Sequence, residues 1–331
     1  MTGVHIEGMG VPGCFIAWYL DSLGVEFTWS DIDSPATSWK ACTGIVYPSG
    51  NDVEYASFER WAEWVDDRSA PWPDALYEWV EHSDMMFNHS SPPHGAPVEF
   101  GPVDGGAGLS RADPGAYHYN AQEFVPATRE AFAEARVEAC PAGSVPVQTH
   151  GFEPNPRNDG YLWGWTAYVE VSTPESHSID DRRPYYYLRK NRWQFAYVTP
   201  IPGTPFWYAG SDLISQDRIK EYEIAPKFDS WMAFVSEATG GGVEVRSAQN
   251  FLHGWRPKER ADLSQSWFVD HADGLSLRPL RGNGVRVAPA YCAALVHELS
   301  VLGAYDGPLP DLIEGDHIGV LQAERMEEAG G

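Results

Sequence analysis

The sequence is short of positive charge: its 331 residues carry 23 Lys and Arg against 47 Asp and Glu, a formal net charge of −24. No basic stripe is available to release counterions, which speaks against a general affinity for nucleic acid or anionic membrane. Basic residues gather only from Asp181-Arg182-Arg183 to Arg189-Lys190-Asn191-Arg192, which reads first as solvated strand ends. Cysteine is scarce as well. Cys14, Cys42, Cys140 and Cys292 show no CxxC spacing, so no disulfide framework and no metal site are expected, and the reading is of reduced thiols in a cytoplasmic protein. Long apolar runs are missing: none approaches the roughly 20 residues that span a bilayer. No basic segment precedes the first apolar run, so no signal peptide is expected either. Internal repeats and low-complexity tracts are lacking.

Glycine, tryptophan and length are present in quantity. The chain can form one large or two modest domains, each with its own core. Its fourteen tryptophans serve to pack a core or to line a pocket for a flat or apolar ligand.

The most informative stretch is Gly8-Met9-Gly10-Val11-Pro12-Gly13. Val4-His5-Ile6 before it has a strand pattern, and Cys14 to Leu20 behind it is apolar with helical spacing up to Leu23-Gly24. In a strand–turn–helix unit of this kind the first glycine makes the tight turn. The second lets a pyrophosphate approach the backbone, and the third lets the helix pack against the strand. The helix N-terminus adds free N–H groups and partial positive charge. A second apolar strand, Val25 to Trp29, leads to Asp31, eighteen residues past Gly13 and placed to accept hydrogen bonds from a ribose. Ile32 follows, and Asp33 competes for the ribose role with a poorer offset.

Further along, the small residues Ala41, Cys42, Thr43 and Gly44 would let backbone approach a cofactor ring. Helical spacing predicts helices over Tyr55 to Asp67, Pro73 to His82, and Asn120 to Ala139, the last with Asn120 as cap and Phe124, Ala127, Ala131 and Ala135 on one face. Val98-Glu99-Phe100 and Val145-Pro146-Val147 read as short strands within loop-rich stretches. From Gly164 the pattern turns to closely spaced strands: Thr166–Val171, Tyr185–Leu188, Gln194–Thr199 and Pro205–Gly210, an antiparallel sheet. A helix from about Gln216 to Thr239 and a strand Val243–Arg246 lead to His253-Gly254-Trp255-Arg256-Pro257. Val285-Arg286-Val287, a helix from Pro289 to Leu302 and a weakly ordered acidic tail close the chain.

Three separated segments, in order, match one family pattern. They are Gly8 to Asp31 with its sequel Ala41 to Gly44; Tyr197-Val198-Thr199-Pro200 with Gly210; and Gly254-Trp255-Arg256-Pro257 with Gly282-Asn283-Gly284-Val285-Arg286-Val287-Ala288-Pro289. On these segments the chain resembles the flavin-dependent amine oxidoreductases of the D-amino acid oxidase and glycine oxidase type. The resemblance implies an α/β fold: a Rossmann-like FAD-binding domain from residues 1–50, 117–163 and 255–331, and an α+β substrate domain with an antiparallel sheet from 51–116 and 164–254. It implies FAD, held by Gly8, Gly10, Val11, Pro12, Gly13, Asp31, Ile32, Ala41, Cys42, Thr43, Gly44, Gly282, Asn283, Gly284 and Val285. Arg256 takes the role of the arginine that grips a substrate carboxylate, and Tyr197 that of the pocket tyrosine.

The implied reaction is oxidation of an amine next to a carboxylate, in glycine, N-substituted glycines or D-amino acids, with O2 as electron acceptor. His253 is a candidate proton acceptor or a structural histidine. The sequence departs from the family pattern after Pro257, where Lys258-Glu259-Arg260 replaces a Thr-Pro-Asp type segment, and at Gly282, where an arginine can stand. The family's Ala-Thr-Gly strand end has no evident counterpart. Other readings stay open: a lyase or oxidase acting on a glycine unit conjugated to a larger molecule, even a modified nucleobase; an NAD(P)H-dependent flavin monooxygenase; or a nucleotide-binding module without catalysis. Oligomeric state is not legible.

Overall fold

The computed structural model describes residues 3–34, 37–42, 45–46, 84–86, 109–111, 117–118, 121–149, 161–172, 186–189, 195–200, 206–215, 224–238, 244–257, 268–271, 274–277 and 284–310. The expected helices over 55–67 and 73–82, the strand 98–100 and the acidic tail lie outside them, as do Thr43, Gly44, Gly282 and Asn283. In chain order the first elements are β1 (Val4–Glu7), α1 (Val11–Ser22), β2 (Phe27–Ser30), a 3-10 turn (Ser38–Ala41) and β3 (Ile45–Val46). β4 (Asp84–Met86), β5 (Leu109–Arg111), β6 (Tyr117–His118), α2 (Ala121–Ala131) and β7 (Val145–Gln148) follow. The later part holds β8 (Tyr161–Ser172), β9 (Tyr186–Arg189), β10 (Phe195–Pro200), β11 (Phe206–Ser215), α3 (Ile224–Ala238) and β12 (Glu244–Pro257). β13 (Phe268–His271), β14 (Gly274–Leu277) and α4 (Gly284–Val301) complete it.

Two five-stranded sheets divide the work. The first has the order β13-β14-β7-β1-β2, with β1 parallel to both β2 and β7, and β14 parallel to β7. Only β13 runs antiparallel, at the edge. β1 is central, and Val4, His5 and Ile6 are all buried because both its faces are covered. The covering helices are apolar where they meet it: Phe15, Ile16 and Leu20 of α1, and Tyr291, Leu295, Val296 and Leu299 of α4, pack with Val4, Ile6, Trp29, Val147 and Leu275. α1 opens with Pro in its first turn, where a missing N–H costs nothing, and stops at Gly24, whose φ of 69° suits a residue without Cβ. His5, fully buried in β1, hydrogen-bonds Thr28 Oγ1 at 2.8 Å and Ser30 Oγ at 3.0 Å. Burial, partly offset by Glu7, lowers its pKa.

The second sheet has the order β12-β8-β11-β10-β9, and all its pairings are antiparallel. Alternation along β8 decides its faces. Trp165, Ala167 and Val169 form a core with Val198, Trp207, Ala209 and Val245, covered by Trp231 and Val235 of α3. Trp165 stacks on Phe251 at 5.1 Å and meets Trp231 edge-on at 4.8 Å, which accounts for part of the tryptophan content.

Several expected boundaries shift. The helix predicted over 120–139 ends at Ala131; a 3-10 turn over Ala133–Ala135 follows, and Arg136 forms a parallel bridge beside Trp29. Chain tension explains this: Val137 N–H donates to Trp29 O at 2.9 Å, so the segment must unwind to cover the edge of β2. The buried face of α2 is Ala121, Phe124, Val125 and Thr128. The strand expected over 243–246 is the opening of the 14-residue β12, which carries Arg256 at its far end. The closing helix begins at Gly284, not Pro289, so Val285-Arg286-Val287 is helical and Pro289 sits inside the first turns. Pro146 fits inside the parallel sheet because β14 pairs with β7 only from Val147 onward.

The four thiols are reduced; Cys14 and Cys292 are buried, Cys42 and Cys140 half-buried. Burial pushes the Cys14 thiol up to about 12. No helix among the described residues is long and apolar enough to cross a membrane.

Candidate nucleotide and substrate site

The glycine turn leaves β1 at Gly8, whose φ of 102° is a conformation that side chains resist, and whose N–H donates to Ser30 O at 2.8 Å. Gly13 is required by packing. A Cβ there would lie 2.1 Å from Gly8 O and 3.1 Å from Thr149 Oγ1. Gly10 differs: among the described residues its added Cβ would meet only Trp39 Cδ1, at 3.9 Å. The chain itself therefore does not need a glycine there, and the room it leaves faces the start of α1. Val11 is buried in that first turn, Pro12 occupies it, no side chain caps it, and it holds no acidic residue. Unmasked N–H groups at a helix start, with the dipole behind them, form an anion site.

Asp31 stands beside this turn, with only 6% of its side chain exposed. Its Oδ2 accepts the Met9 N–H at 2.6 Å and the Arg129 guanidinium at 2.7 Å, and its Oδ1 accepts the Asp33 N–H at 2.7 Å. A carboxylate offers about four lone-pair positions, so three donors leave capacity for a ribose hydroxyl. Asp33, the competitor, is about half exposed and adopts φ 50° to pair with Arg129 at 3.1 Å and with Arg136. It flanks the site, whereas Asp31 touches the turn. Ile32 between them is 68% exposed, as an apolar surface beside a ribose position would be. Arg129, from α2, also donates to Met9 O at 2.9 Å, and so ties the acid and the turn together. Asp31→Asn is expected to destabilise the protein by about 1–2 kcal/mol, since one charge-assisted bond to a partly exposed arginine weakens. Thermal melts of the ligand-free protein measure this.

The turn over residues 37–42 bridges the two sheets. Thr166 of β8 donates its hydroxyl to Lys40 O at 2.7 Å, and Tyr208 of β11 donates to Cys42 O at 2.6 Å. Gln122 of α2 reaches Thr166, and Tyr168 reaches Glu123 at 3.1 Å. The face of the antiparallel sheet that carries Thr166, Tyr168 and Tyr208 is therefore turned to the glycine turn's half of the molecule. Ala41 ends the 3-10 turn, and Lys40 has its pKa lowered by burial and by Arg129.

Strand register locates the remaining candidates. Tyr197 pairs with Gly210, which pairs with Thr166, and Arg256 pairs with Leu162. Positions paired across strands share a face, and alternate positions along a strand do too. Positions 197 and 256 thus fall on the Thr166 face. Position 253 pairs with Trp165 and falls on the opposite face, toward α3. His253 is half-buried, and burial, with a further contribution from Lys40, lowers its pKa. Gly284 and Val285 open α4.

Sequence reasoning missed Arg129 and Thr149. Thr149 directly follows β7, the parallel strand beside β1, and its hydroxyl donates to Gly8 O. Arg129 carried the only usable signal, a lone cation on a helix one turn beyond a buried face.

No family model matches the sequence, and no curated protein does either. The fold, however, is shared along nearly its whole length with solved FAD-dependent oxidoreductases. Iminodiacetate oxidase from Chelativorans sp. BNC1 superposes with a TM-score of 0.62 at 14% identity, covering 94% of this chain and 97% of that one. An FAD-dependent oxidoreductase from Pseudomonas aeruginosa gives 0.60 at 15% identity, covering 95% and 96%. Glycine oxidase from Bacillus cereus gives 0.58 at 13%, covering 92% and 96%. At such identities the likeness is one of fold.

Proposed function

We propose that this chain binds FAD on the Gly8–Gly13 turn and oxidises an amine adjacent to a carboxylate, in glycine, N-substituted glycines or D-amino acids. The observation that carries the reading is the register of the antiparallel sheet. Positions 197 and 256 share the face that Thr166 and Tyr208 attach to the nucleotide half. The residues at the turn fit a dinucleotide: an uncapped helix start, a cradle at Gly10 that a Cβ would enter, and the buried Asp31. In this reading Val11, Pro12 and Gly13 would form the floor, with Ile32, Ala41 and Cys42 beside it, and Thr43, Gly44, Gly282, Asn283, Gly284 and Val285 are assigned to the cofactor on the resemblance alone. The domain partition we favour keeps 1–50, 117–163 and 255–331 around the first core and 51–116 with 164–254 around the second, except that β8 and β12 run whole through the second sheet, so residues 161–163 and 255–257 go with it. Two separate buried clusters support it.

In this mechanism Arg256 holds the substrate carboxylate in a bidentate pair, and Tyr197 orients the amine-bearing end. FAD, when bound, supplies the acceptor for the hydride that leaves the substrate Cα. The chain's contribution is orientation and charge complementarity. A substrate that arrives with a neutral amine needs no protein base, and His253, on the other face, is given none of this work. The imine product hydrolyses, and O2 is the electron acceptor.

The test is anaerobic mixing of the yellow holoprotein with glycine, sarcosine, iminodiacetate and D-alanine. At least one is expected to bleach the visible flavin band. Bleaching by NAD(P)H and by none of the amines would replace this reading with that of a monooxygenase. A colourless protein that takes up no FAD would sink both.

A further inference from the structure

Arg129 reaches from α2 to the glycine turn and makes three bonds there. Its Nε donates to Met9 O at 2.9 Å, its Nη2 to Asp31 Oδ2 at 2.7 Å and its Nη1 to Asp33 Oδ1 at 3.1 Å. Asp31 Oδ2 in turn accepts the Met9 N–H at 2.6 Å. Guanidinium, carboxylate and the backbone of Met9 thus close a ring, and one ion pair ties down both polar groups of that residue. The other donor to Met9 O among the described residues is the Cys14 thiol at 3.8 Å, a weak one.

Direction follows from covalent geometry. In a planar trans peptide the C=O of one residue and the N–H of the next point opposite ways. With Met9 O drawn to Arg129, the Gly10 N–H is aimed away from that guanidinium. It has no acceptor among the described residues, and Gly10 is half-buried rather than sealed in. Nothing intrinsic to Gly10 holds the peptide this way round. Turning it over would carry the Gly10 φ from −84° into the positive region, which glycine enters about as readily. A carbonyl oxygen would then stand where the N–H stood, and would repel an anion instead of binding it.

We infer that Arg129 is a positioning residue: by gripping Met9 O it aims the Gly10 N–H at the cofactor's pyrophosphate, acting through the backbone. The inference rests on the reading that this turn binds FAD. Charge alone does not fill the role, because three acceptors lying in different directions are matched at once by the fixed fork of a guanidinium.

FAD and ADP affinities of the apoprotein, by flavin fluorescence and calorimetry, test this together with the amide NMR spectrum of protein labelled at glycine nitrogen. Arg129→Lys keeps the charge and a partner for Asp31, but puts one ammonium where three directed donors stood. It is expected to weaken FAD and ADP equally, by about tenfold or more. In wild type the Gly10 amide, assigned by its absence from Gly10→Ala, is expected to shift downfield when ADP is added; in Arg129→Lys it should stay in place. Arg129→Gln carries an amide N–H at the same distance along the side chain as Nε, without the charge, and is expected to retain the shift. Wild-type affinity in Arg129→Lys overturns the inference, as does a Gly10 shift lost from Arg129→Gln. Weakening of FAD without ADP overturns it too, since the arginine would then act at the flavin end. Should Arg129→Gln fail to fold for want of a partner to Asp31, the affinities and the Gly10 shift of Arg129→Lys decide. Wild-type protein that binds neither ligand overturns the cofactor reading itself, and so is distinguishable from failure of the positioning role alone.

Discussion

Arg256→Ala is expected to lower kcat/KM for a carboxylate-bearing amine by about 30-fold to several thousand-fold. The figure follows from removing one partner of a desolvated, hydrogen-bonded charge pair, which costs about 2–5 kcal/mol, at 1.4 kcal/mol for each factor of ten. Arg256 lies one residue from the end of β12, opposite Leu162. A position on a paired strand is fixed by the backbone ladder, so the variant should change the anchor and leave the sheet intact. Arg256→Lys should recover only part of the loss: it keeps the charge and forfeits the planar fork that matches a carboxylate in two bonds. Two controls make the result specific. FAD affinity should be unchanged, because the glycine turn belongs to the other sheet. An amine without a carboxylate should be oxidised equally poorly by wild type and variant. If Arg256→Ala lost FAD as well, or lost both classes of amine alike, the arginine would be structural and the carboxylate reading would fall.

The parts legible in the sequence were those governed by local rules. A strand, a glycine turn, an apolar helix and an acid at fixed spacing are all set within about thirty residues, and the structure places Gly8 to Asp31 as that spacing implies. The closely spaced strands after Gly164 were legible for the same reason, since a period of two is a property of the segment itself. Long-range demands hid the rest. α2 stops at Ala131 because the chain beyond it must reach Trp29 O and cover an exposed edge, and nothing in residues 132–139 announces a partner a hundred positions away. β7 was legible as Val145-Pro146-Val147, but that its proline could stand inside a parallel sheet depends on β14, which pairs with β7 only from Val147 onward. The relation between His253 and Arg256 shows the limit most clearly. Adjacent in a motif, they suggest one site; on a strand, a spacing of three puts them on opposite faces.

Gly13→Ala and Gly10→Ala are expected to fail in different ways, and the contrast tests whether the turn is built for a ligand or only for packing. In Gly13→Ala the new methyl would stand 2.1 Å from the Gly8 carbonyl oxygen. That oxygen belongs to backbone pinned by the Gly8 N–H bond to Ser30 O and also accepts from Thr149, so it cannot swing aside. Relief requires α1 to lift off β1, which disturbs the contacts of Phe15, Ile16 and Leu20 with the sheet. A cost of about 3 kcal/mol or more is expected, read as a fall of roughly 6–12 °C in the Tm of the apoprotein, with FAD binding lost alongside. In Gly10→Ala the methyl meets nothing among the described residues closer than Trp39 at 3.9 Å, an ordinary contact, and the φ of −84° suits any residue. Apoprotein Tm should stay within about 1 °C of wild type, since a substitution without a clash shifts stability by at most a few tenths of a kcal/mol. FAD affinity should nonetheless drop by about a hundredfold, because the methyl occupies the depth to which the phosphates must come if their oxygens are to reach the N–H groups of α1. Melting curves and fluorescence titrations of the two variants side by side separate the effects. Equal loss of stability in both would mean that both glycines serve packing, and unchanged FAD affinity in a stable Gly10→Ala protein would remove the pyrophosphate from this turn.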